Sequence, residues 1–492
     1  MSKEKVMVGD EGIYDARKLG VGKMIVLGFQ HLFAMFGATV LVPLLTGLDV
    51  ATTLLMAGLG TLLFHLITKG KVPAFLGSSF AFLGGYGAIT ALAGTKGYEN
   101  FTNVQLLPYA CLGVACAGLV YLVLAALIKL IGVNRVMKFF PPVVTGPIII
   151  AIGLGLAGSA VGNCNTNWLI ALIALAIIVI FNVWGKGMAK IIPILLGVLG
   201  SCLVAAILAL CFGKTITLEG GGECIALFGN ASFQLFDKAA LDEFIKAPWI
   251  GFPIQWKQTV FGIDWSNTSL IASSIIAIVP ISLATMMEHI GDISAISSTV
   301  GRNFIQDPGL HRTLMGDGLA TTIASLFGAP ANTTYGENTG VLALSKVYDP
   351  RVIRIAACFA AILSFCPKFA ALIHLIPTAV IGGISFVLYG MISAIGVRNV
   401  VENKVDFTKS RNLIIAAIIL VCALGLTSGV SFSIGSATIT LSALAVASIA
   451  GIVLNAILPG KDYEFGADSK GDKAVNFAVG PQTGEGPDTP ME

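Results

Sequence analysis

Five residues able to do acid–base or hydrogen-bonding chemistry stand inside otherwise apolar stretches. Glu288 and Asp292 lie four apart in MMEHIGD, Glu337 follows GAPANTTYG, Asp317 lies in LMGDGLATT, and His31 lies in GFQHLFAMFG. A carboxyl in apolar surroundings holds a proton more readily than one in water, and releases it when the site opens to the other side. Spacing of four puts Glu288 and Asp292 on one helix face. Two carboxyls together also accept hydrogen bonds, so a ligand with alternating N–H and C=O groups matches carboxylates plus backbone N–H. Each residue has a plainer reading: Glu288 and Glu337 as caps or pairs within a bundle, Asp292 as a helix-end residue near water, His31 as a hydrogen-bonded packing residue, Asp317 as structural. His65, His311 and His374 read as interfacial or packing residues. No metal-ligand cluster, nucleophile elbow or Walker pattern is present, and GGGE at 220–223 matches no phosphate loop, so an enzyme or a cofactor has no chemical anchor here.

The elements that must position these groups are membrane helices. The 492 residues are 55% hydrophobic and 12% charged, against about 25% charged in soluble domains, and the mean hydropathy is +0.87. This is the balance of an all-α polytopic membrane protein in a lipid bilayer. The net charge of +3 fits basic anchors on cytoplasmic loops and gives no reason to expect a nucleic-acid partner. Spans of about 20 apolar residues are expected near 24–48, 50–68, 73–94, 104–131, 140–161, 167–185, 190–212, 270–292, 313–328, 334–348, 352–373, 376–396, 412–428 and 436–458, fourteen in all. Basic residues cluster in alternate connections, among them Lys69, Lys71, Arg135, Lys138, Lys186, Lys190, Arg302, Arg312, Arg351, Arg354, Arg398 and Lys404. Both termini are therefore expected in the cytoplasm. Residues 1–23 read as a polar cytoplasmic segment without a cleavable signal peptide, 213–269 as an external loop, and 459–492 as a disordered cytoplasmic tail. Nine Cys contain no CxxC pair; Cys164 and Cys224 fall in expected external loops, where a disulfide is one alternative.

The two halves echo each other. Gln30-His31 is followed by PAFLGSSF (Pro73–Phe80), Glu288-His289 by PANTTYG (Pro330–Gly336), and PPVVTG (Pro141–Gly146) resembles IPTAVIG (Ile376–Gly382). The expected organisation is a first seven-span repeat over 24–212 and a second over 270–458. An odd span count inverts the second copy, and inverted repeats with helices broken at corresponding positions point to a transporter with its site at mid-membrane. Non-helical backbone at that depth is tolerated only within protein or around a water-filled cavity. GSSF and NTTYG would then present backbone N–H groups at two facing half-helix starts.

At these residues the chain resembles the nucleobase/ascorbate transporter family, closest to its bacterial uracil permeases. The matching stretches are QHLFAMFGATVLVPLL (Gln30–Leu45), GKVPAFLGSSFAF (Gly70–Phe82), EHIG (Glu288–Gly291), DPGLHR (Asp307–Arg312), NTTYGEN (Asn332–Asn338) and VLYG (Val387–Gly390). The resemblance implies fourteen spans in two inverted repeats, a core and a gate domain, a possible homodimer, and proton-coupled uptake of a nucleobase across the bacterial inner membrane. It implies that the side chains of Glu288 and Glu337 bond the base. Phe80 and Gly336 would add backbone N–H groups with Tyr335 beside them, and Tyr389 would close the pocket. His31 and Ser79 would link span 1 to the first broken helix, and with Glu288 and Asp292 would serve proton coupling. Uracil permeases typically carry His where Asp292 stands; purine members carry Asp there and at the position of Asp317. Uracil is the expected substrate, with xanthine or another purine as the alternative. A passive channel or an anion transporter of the same architecture is a further alternative.

Overall fold

The computed structural model describes residues 12–95, 98–186, 188–218, 221–426, 429–434 and 437–460. The expected tail falls almost wholly outside them. Two long helices, α1 (Val21–Thr46) and α2 (Val50–Ile67), come first. Gly47 ends α1 in the left-handed region at φ 81°, where glycine carries no Cβ penalty. Asp49 caps α2 by accepting from the Thr52 N–H at 2.6 Å. The chain then breaks into a strand, β1 (Leu76–Ser78), and a half-helix, α3 (Leu83–Thr90). After α4 (Asn103–Ile131) and the short α5 (Val133–Met137) come α6 (Pro142–Gly155), α7 (Ala157–Cys164), α8 (Trp168–Trp184), α9 (Met188–Ile191) and α10 (Pro193–Phe212).

The 213–269 connection is structured. Strands β2 (Gly213–Thr217), β3 (Glu223–Leu227) and β4 (Gln234–Asp237) form an antiparallel sheet in that order, followed by the amphipathic helix α11 (Lys238–Lys246). Cys164 and Cys224 are both buried free thiols, so the disulfide alternative is not realised. Cys164 ends α7 against Gly382, while Cys224 sits mid-strand opposite Ile216 and Asp237.

The second half begins with α12 (Thr268–Ile278) and α13 (Ser282–Val300), which a 3-10 stretch at Val279–Ile281 joins into one continuous helix. Then come α14 (Leu310–Leu326), a second strand β5 (Asn332–Thr334) and a second half-helix α15 (Gly336–Ser345). Next, α16 (Pro350–Ser364) and α17 (Pro367–His374) meet at a bend of 88°. Pro367 cannot continue the hydrogen-bond ladder of α16, so the expected span 352–373 is bent. The chain closes with α18 (Thr378–Glu402), α19 (Ser410–Gly425), a hairpin of β6 (Val430–Ile434) and β7 (Ala437–Leu441), and α20 (Ala443–Ile457). The expected span 436–458 is thus helical only from residue 443.

Among the described residues, with α6–α7 (Pro142–Cys164) and α12–α13 (Thr268–Val300) each taken as one helix, seven helices are long and apolar enough to cross a membrane, or up to eight if the bent pair counts as one crossing. The protein is a mainly helical, multi-pass membrane protein. Helices α1, α2, α4, α12, α14 and α16 pack on one another, α6, α7, α8, α10, α18, α19 and α20 form a second packed set, and α13 touches both.

Residues 12–19 are docked. Ile13 donates its N–H to the Lys346 carbonyl and accepts from the Tyr348 N–H, both at 2.8 Å. The Tyr14 hydroxyl donates to the Val300 carbonyl at 2.7 Å, and Arg351 donates to Asp15 at 3.0 Å. The hydrogen bond from the Arg17 side chain, helped by the charge of Arg351, holds the Asp15 carboxyl down at about 2. A carboxyl lowered in the folded state contributes stability that is present above its unfolded value near 4 and lost as pH falls through its folded value. Asp15→Asn is therefore expected to lower stability by less than about 1 kcal/mol at neutral pH, because the pair faces solvent. In thermal unfolding of the two proteins, that difference should fade between about pH 4 and about pH 2.

Candidate functional site

The site is built where the two chain breaks meet. Pro73 and Gly77 on one segment and Pro330 with Asn332, Thr333 and Thr334 on the other disfavour continuous helix, through lost N–H groups, backbone entropy and β-branching. The freed backbone groups pair with each other. β1 and β5 run antiparallel with Leu76 opposite Thr334, Gly77 opposite Thr333 and Ser78 opposite Asn332. The ladder extends through the Ser79 N–H to the Ala331 carbonyl at 2.8 Å and the Tyr335 N–H to the Phe75 carbonyl at 3.1 Å.

Both strands are buried, and a three-residue ladder leaves two edges that cannot be left bare there. Side chains from the flanking helices satisfy them. Thr61 on α2 accepts from the Leu76 N–H at 2.9 Å, and His65 Nε2 meets the Ala74 carbonyl at 2.9 Å. On the β5 side, Thr321 donates to the Asn332 carbonyl at 2.6 Å, while Asn332 Nδ2 donates to the Met56 carbonyl at 3.0 Å. The Ser78 hydroxyl donates to the Thr39 carbonyl at 3.1 Å, and the Tyr335 hydroxyl donates to the Ser78 carbonyl at 2.8 Å. His65, read from sequence as interfacial or packing, is thus a backbone-satisfying residue.

A cavity lies against this crossing. The two strands and half-helix starts contribute Ser78, Phe80, Thr333, Thr334, Tyr335 and Gly336; α13 contributes Glu288, Gly291 and Asp292; α6 and α18 supply an apolar wall of Ile149, Ile392 and Ile395. Of four expected site residues outside the acidic pair, three reach the cavity and one stands behind it. Phe80, Tyr335 and Gly336 line the cavity. Tyr389 stands behind Phe80 as an edge-on ring pair, centroids 5.7 Å apart, and is itself buried. Tyr335 faces the cavity, but its hydroxyl is taken up by Ser78 and Thr39. The side chain of Glu337 lies outside the described residues; its backbone is in the first turn of α15.

Glu288 and Asp292 share the cavity face of α13. Asp292 is not at a helix end: α13 continues to Val300, and the carboxylate is buried and accepts from the Thr334 hydroxyl at 2.9 Å. The expected link between His31 and Ser79 is not formed. His31 is fully buried and meets Asn338, whose Nδ2 lies 3.3 Å from His31 Nδ1 and donates to the His31 carbonyl at 3.1 Å. His31 Nε2 and the Ser79 hydroxyl have no hydrogen-bond partner among the described residues. Span 1 is therefore tied to the second broken helix, through Asn338. Asn338, Thr39, Thr334 and His289 are polar contributors that sequence reasoning passed over. Their only signal was polarity inside apolar helices or inside NTTYGEN.

Chemically, the arrangement offers carboxylate acceptors on one wall, an aromatic face at Phe80, aliphatic side chains opposite, and a helix N-terminus at Gly336. Such a cavity suits a small planar ligand carrying N–H donors. Among the described residues no group of His, Cys, Asp and Glu could hold a metal ion.

Comparison with known proteins places these features. The permease family model (Xan_ur_permease) matches residues 22–432. The uracil permease of Bacillus caldolyticus is 41% identical over 90% of this chain and 93% of its own length. That of Bacillus subtilis (strain 168) is 38% identical over 93% and 97%. The putative pyrimidine permease RutG of Escherichia coli (strain K12) is 36% identical over 90% and 91%. Among solved structures, the transmembrane domain of the cyanobacterial bicarbonate transporter BicA superposes with a TM-score of 0.59 at 15% identity, covering 90% of this chain and 99% of that one. SLC26A9 gives 0.59 at 12% identity, covering 90% and 66%. Those two share the fold. The sequence matches carry more, and the chain belongs to the xanthine/uracil permease family, the nucleobase/ascorbate transporters.

Proposed function

We propose that this transporter is a proton–uracil symporter that imports the base across the bacterial cytoplasmic membrane. The observation that carries the reading is the cavity at the β1–β5 crossing, with Glu288 and Asp292 on one wall and Gly336 at the start of a half-helix. Uracil has alternating N–H and C=O groups. In the proposed pose Glu288 and Glu337 accept its N–H groups, backbone N–H groups of Phe80 and Gly336 reach its carbonyls, and Phe80 covers a ring face with Tyr389 behind it. The relatives named as uracil permeases support that choice of base. We further propose fourteen spans in two inverted repeats, 24–212 and 270–458, with the two packed helix sets moving as core and gate. Both termini then lie in the cytoplasm and 213–269 outside, and a gate-side homodimer is compatible with this arrangement.

One proton moving down 100 mV supplies about 2.3 kcal/mol, enough for roughly fortyfold accumulation. Proton return then needs carboxyl groups that titrate as the cavity changes sides, a role we assign to Glu288 and Asp292, with His31 bearing on it through Asn338. Acidic walls disfavour an anion as cargo, which sets this chain apart from the bicarbonate carrier whose fold it shares. Asp292 and Asp317, by resemblance, favour a purine as second reading.

The test is uptake of radiolabelled uracil in cells lacking their own permease, with and without a protonophore, and with xanthine as competitor. Accumulation that collapses with the protonophore and ignores xanthine is the expected result. Uracil that merely equilibrates would indicate a channel, and strong block by xanthine a purine carrier.

A further inference from the structure

The cavity is not the end of the polar network on α13. His289 points away from it, fully buried, with Nδ1 3.0 Å from Asp317 Oδ2 on α14. Both side chains are 0% exposed. The same nitrogen is 3.4 Å from the Thr334 hydroxyl, which in turn donates to Asp292 at the cavity. Four groups from α13, α14 and β5 thus form one chain: Asp292, Thr334, His289, Asp317. Around His289, the described titratable groups are Glu288 and Asp292 on its own helix, Asp317 on α14, and Tyr121 on α4, which lies within electrostatic reach of Asp317 and Glu288. From α2 the Phe64 ring stands edge-on to it at 6.4 Å. α15 supplies Asn338, committed to His31.

A buried carboxylate beside a buried imidazole is costly unless a proton lies between them. The Thr334 hydroxyl has one hydrogen. When it is given to Asp292, the Thr334 oxygen can still accept, so the His289 Nδ1 proton stands between Thr334 at 3.4 Å and Asp317 at 3.0 Å. We propose that His289 and Asp317 form a buried proton-holding pair that Thr334 connects to Asp292, making both of them positioning residues for proton coupling. This rests on the symport reading above.

The transfer balances. Starting from imidazolium His289 with Asp317 and Asp292 as carboxylates, Thr334 gives its hydroxyl proton to Asp292 Oδ2 and takes the Nδ1 proton of His289 in the same move. Asp292 becomes a neutral acid at the cavity, His289 becomes neutral imidazole, and the total charge is unchanged; Asp317 stays a carboxylate now facing the unprotonated Nδ1, a costly arrangement that favours the reverse move. The reverse move recharges the pair when Asp292 meets the other side.

The experiment uses purified full-length protein in liposomes and two modes of transport. Counterflow at equal pH exchanges uracil for uracil without net proton movement, whereas accumulation driven by a pH gradient needs the proton. For His289→Gln and Asp317→Asn, accumulation should fall at least tenfold more than counterflow does, and its dependence on external pH should flatten. Thr334→Val should do the same and Thr334→Ser should restore coupling, which keeps the test open if a variant of the buried pair fails to fold. Wild-type accumulation and pH profile in His289→Gln would overturn the proposal, as would equal loss of both modes in folded protein, the mark of a merely structural pair. If the wild type itself shows counterflow without accumulation, the symport reading fails before any variant is examined, and the pair's role falls with it.

Discussion

Glu288→Gln is expected to abolish uracil uptake while leaving the amount of protein in the membrane unchanged. The two side chains are nearly isosteric, so the packing of α13 between the two helix sets is preserved. The hydrogen-bonding character is not. A carboxylate presents two acceptor oxygens to ligand N–H groups, whereas the amide presents one acceptor and an N–H₂ that opposes them. Hydrogen bonds to a charged partner contribute about 1.5–3 kcal/mol, so binding should weaken roughly ten- to hundredfold. Transport should fall further, because the amide cannot carry a proton. Uptake in the variant, expressed to the wild-type level, together with direct binding of labelled uracil to purified protein, separates the two effects. Wild-type kinetics in Glu288→Gln would remove the Glu288 side chain from the proposed contacts to the base.

The Glu288 effect is legible in the sequence because some features of the chain are local. An ionisable residue deep in an apolar run stands out by cost alone, and PAFLGSSF and PANTTYGEN break helix through their own backbone preferences. What the sequence did not disclose is who meets whom. The register of Gly77 on Thr333 joins segments about 250 residues apart in the chain, and no local preference encodes it. The same holds for Asn338 on His31 and His289 on Asp317, since hydropathy marks a buried polar residue but not the face it uses. Some signals were local and misread. VSFSI and ATITL alternate with period two, the pattern of a strand, yet their apolar content absorbed ATITL into the expected last span. Pro367 marks the bend that a hydropathy window smooths over.

The second large effect is expected at Gly77, which carries no polar group at all. A Cβ built there would lie 2.5 Å from the Thr39 hydroxyl oxygen and 2.6 Å from two ring atoms of Tyr335. Those neighbours cannot simply step aside. Tyr335 is held by its hydroxyl on Ser78 and by its backbone on Phe75, and Thr39 is bonded to both through Ser78 and the Tyr335 hydroxyl. A methyl group must therefore push β1 away from β5 or α1 away from the crossing. Overpacking of a tight site costs about 1–3 kcal/mol, and here the strain falls on the strands that place Phe80 and Gly336. Gly77→Ala should lower both thermal stability and uptake, and Gly77→Val should abolish uptake. Gly84, on the half-helix just beyond, has nothing within 4 Å of its Cβ position; Gly84→Ala should transport normally. The contrast isolates space from composition, because both changes add one methyl to a glycine near the same site. Full uptake and an unchanged melting temperature in Gly77→Val would mean that the two broken segments do not cross at the distance described, and the cavity built on their crossing would lose its frame.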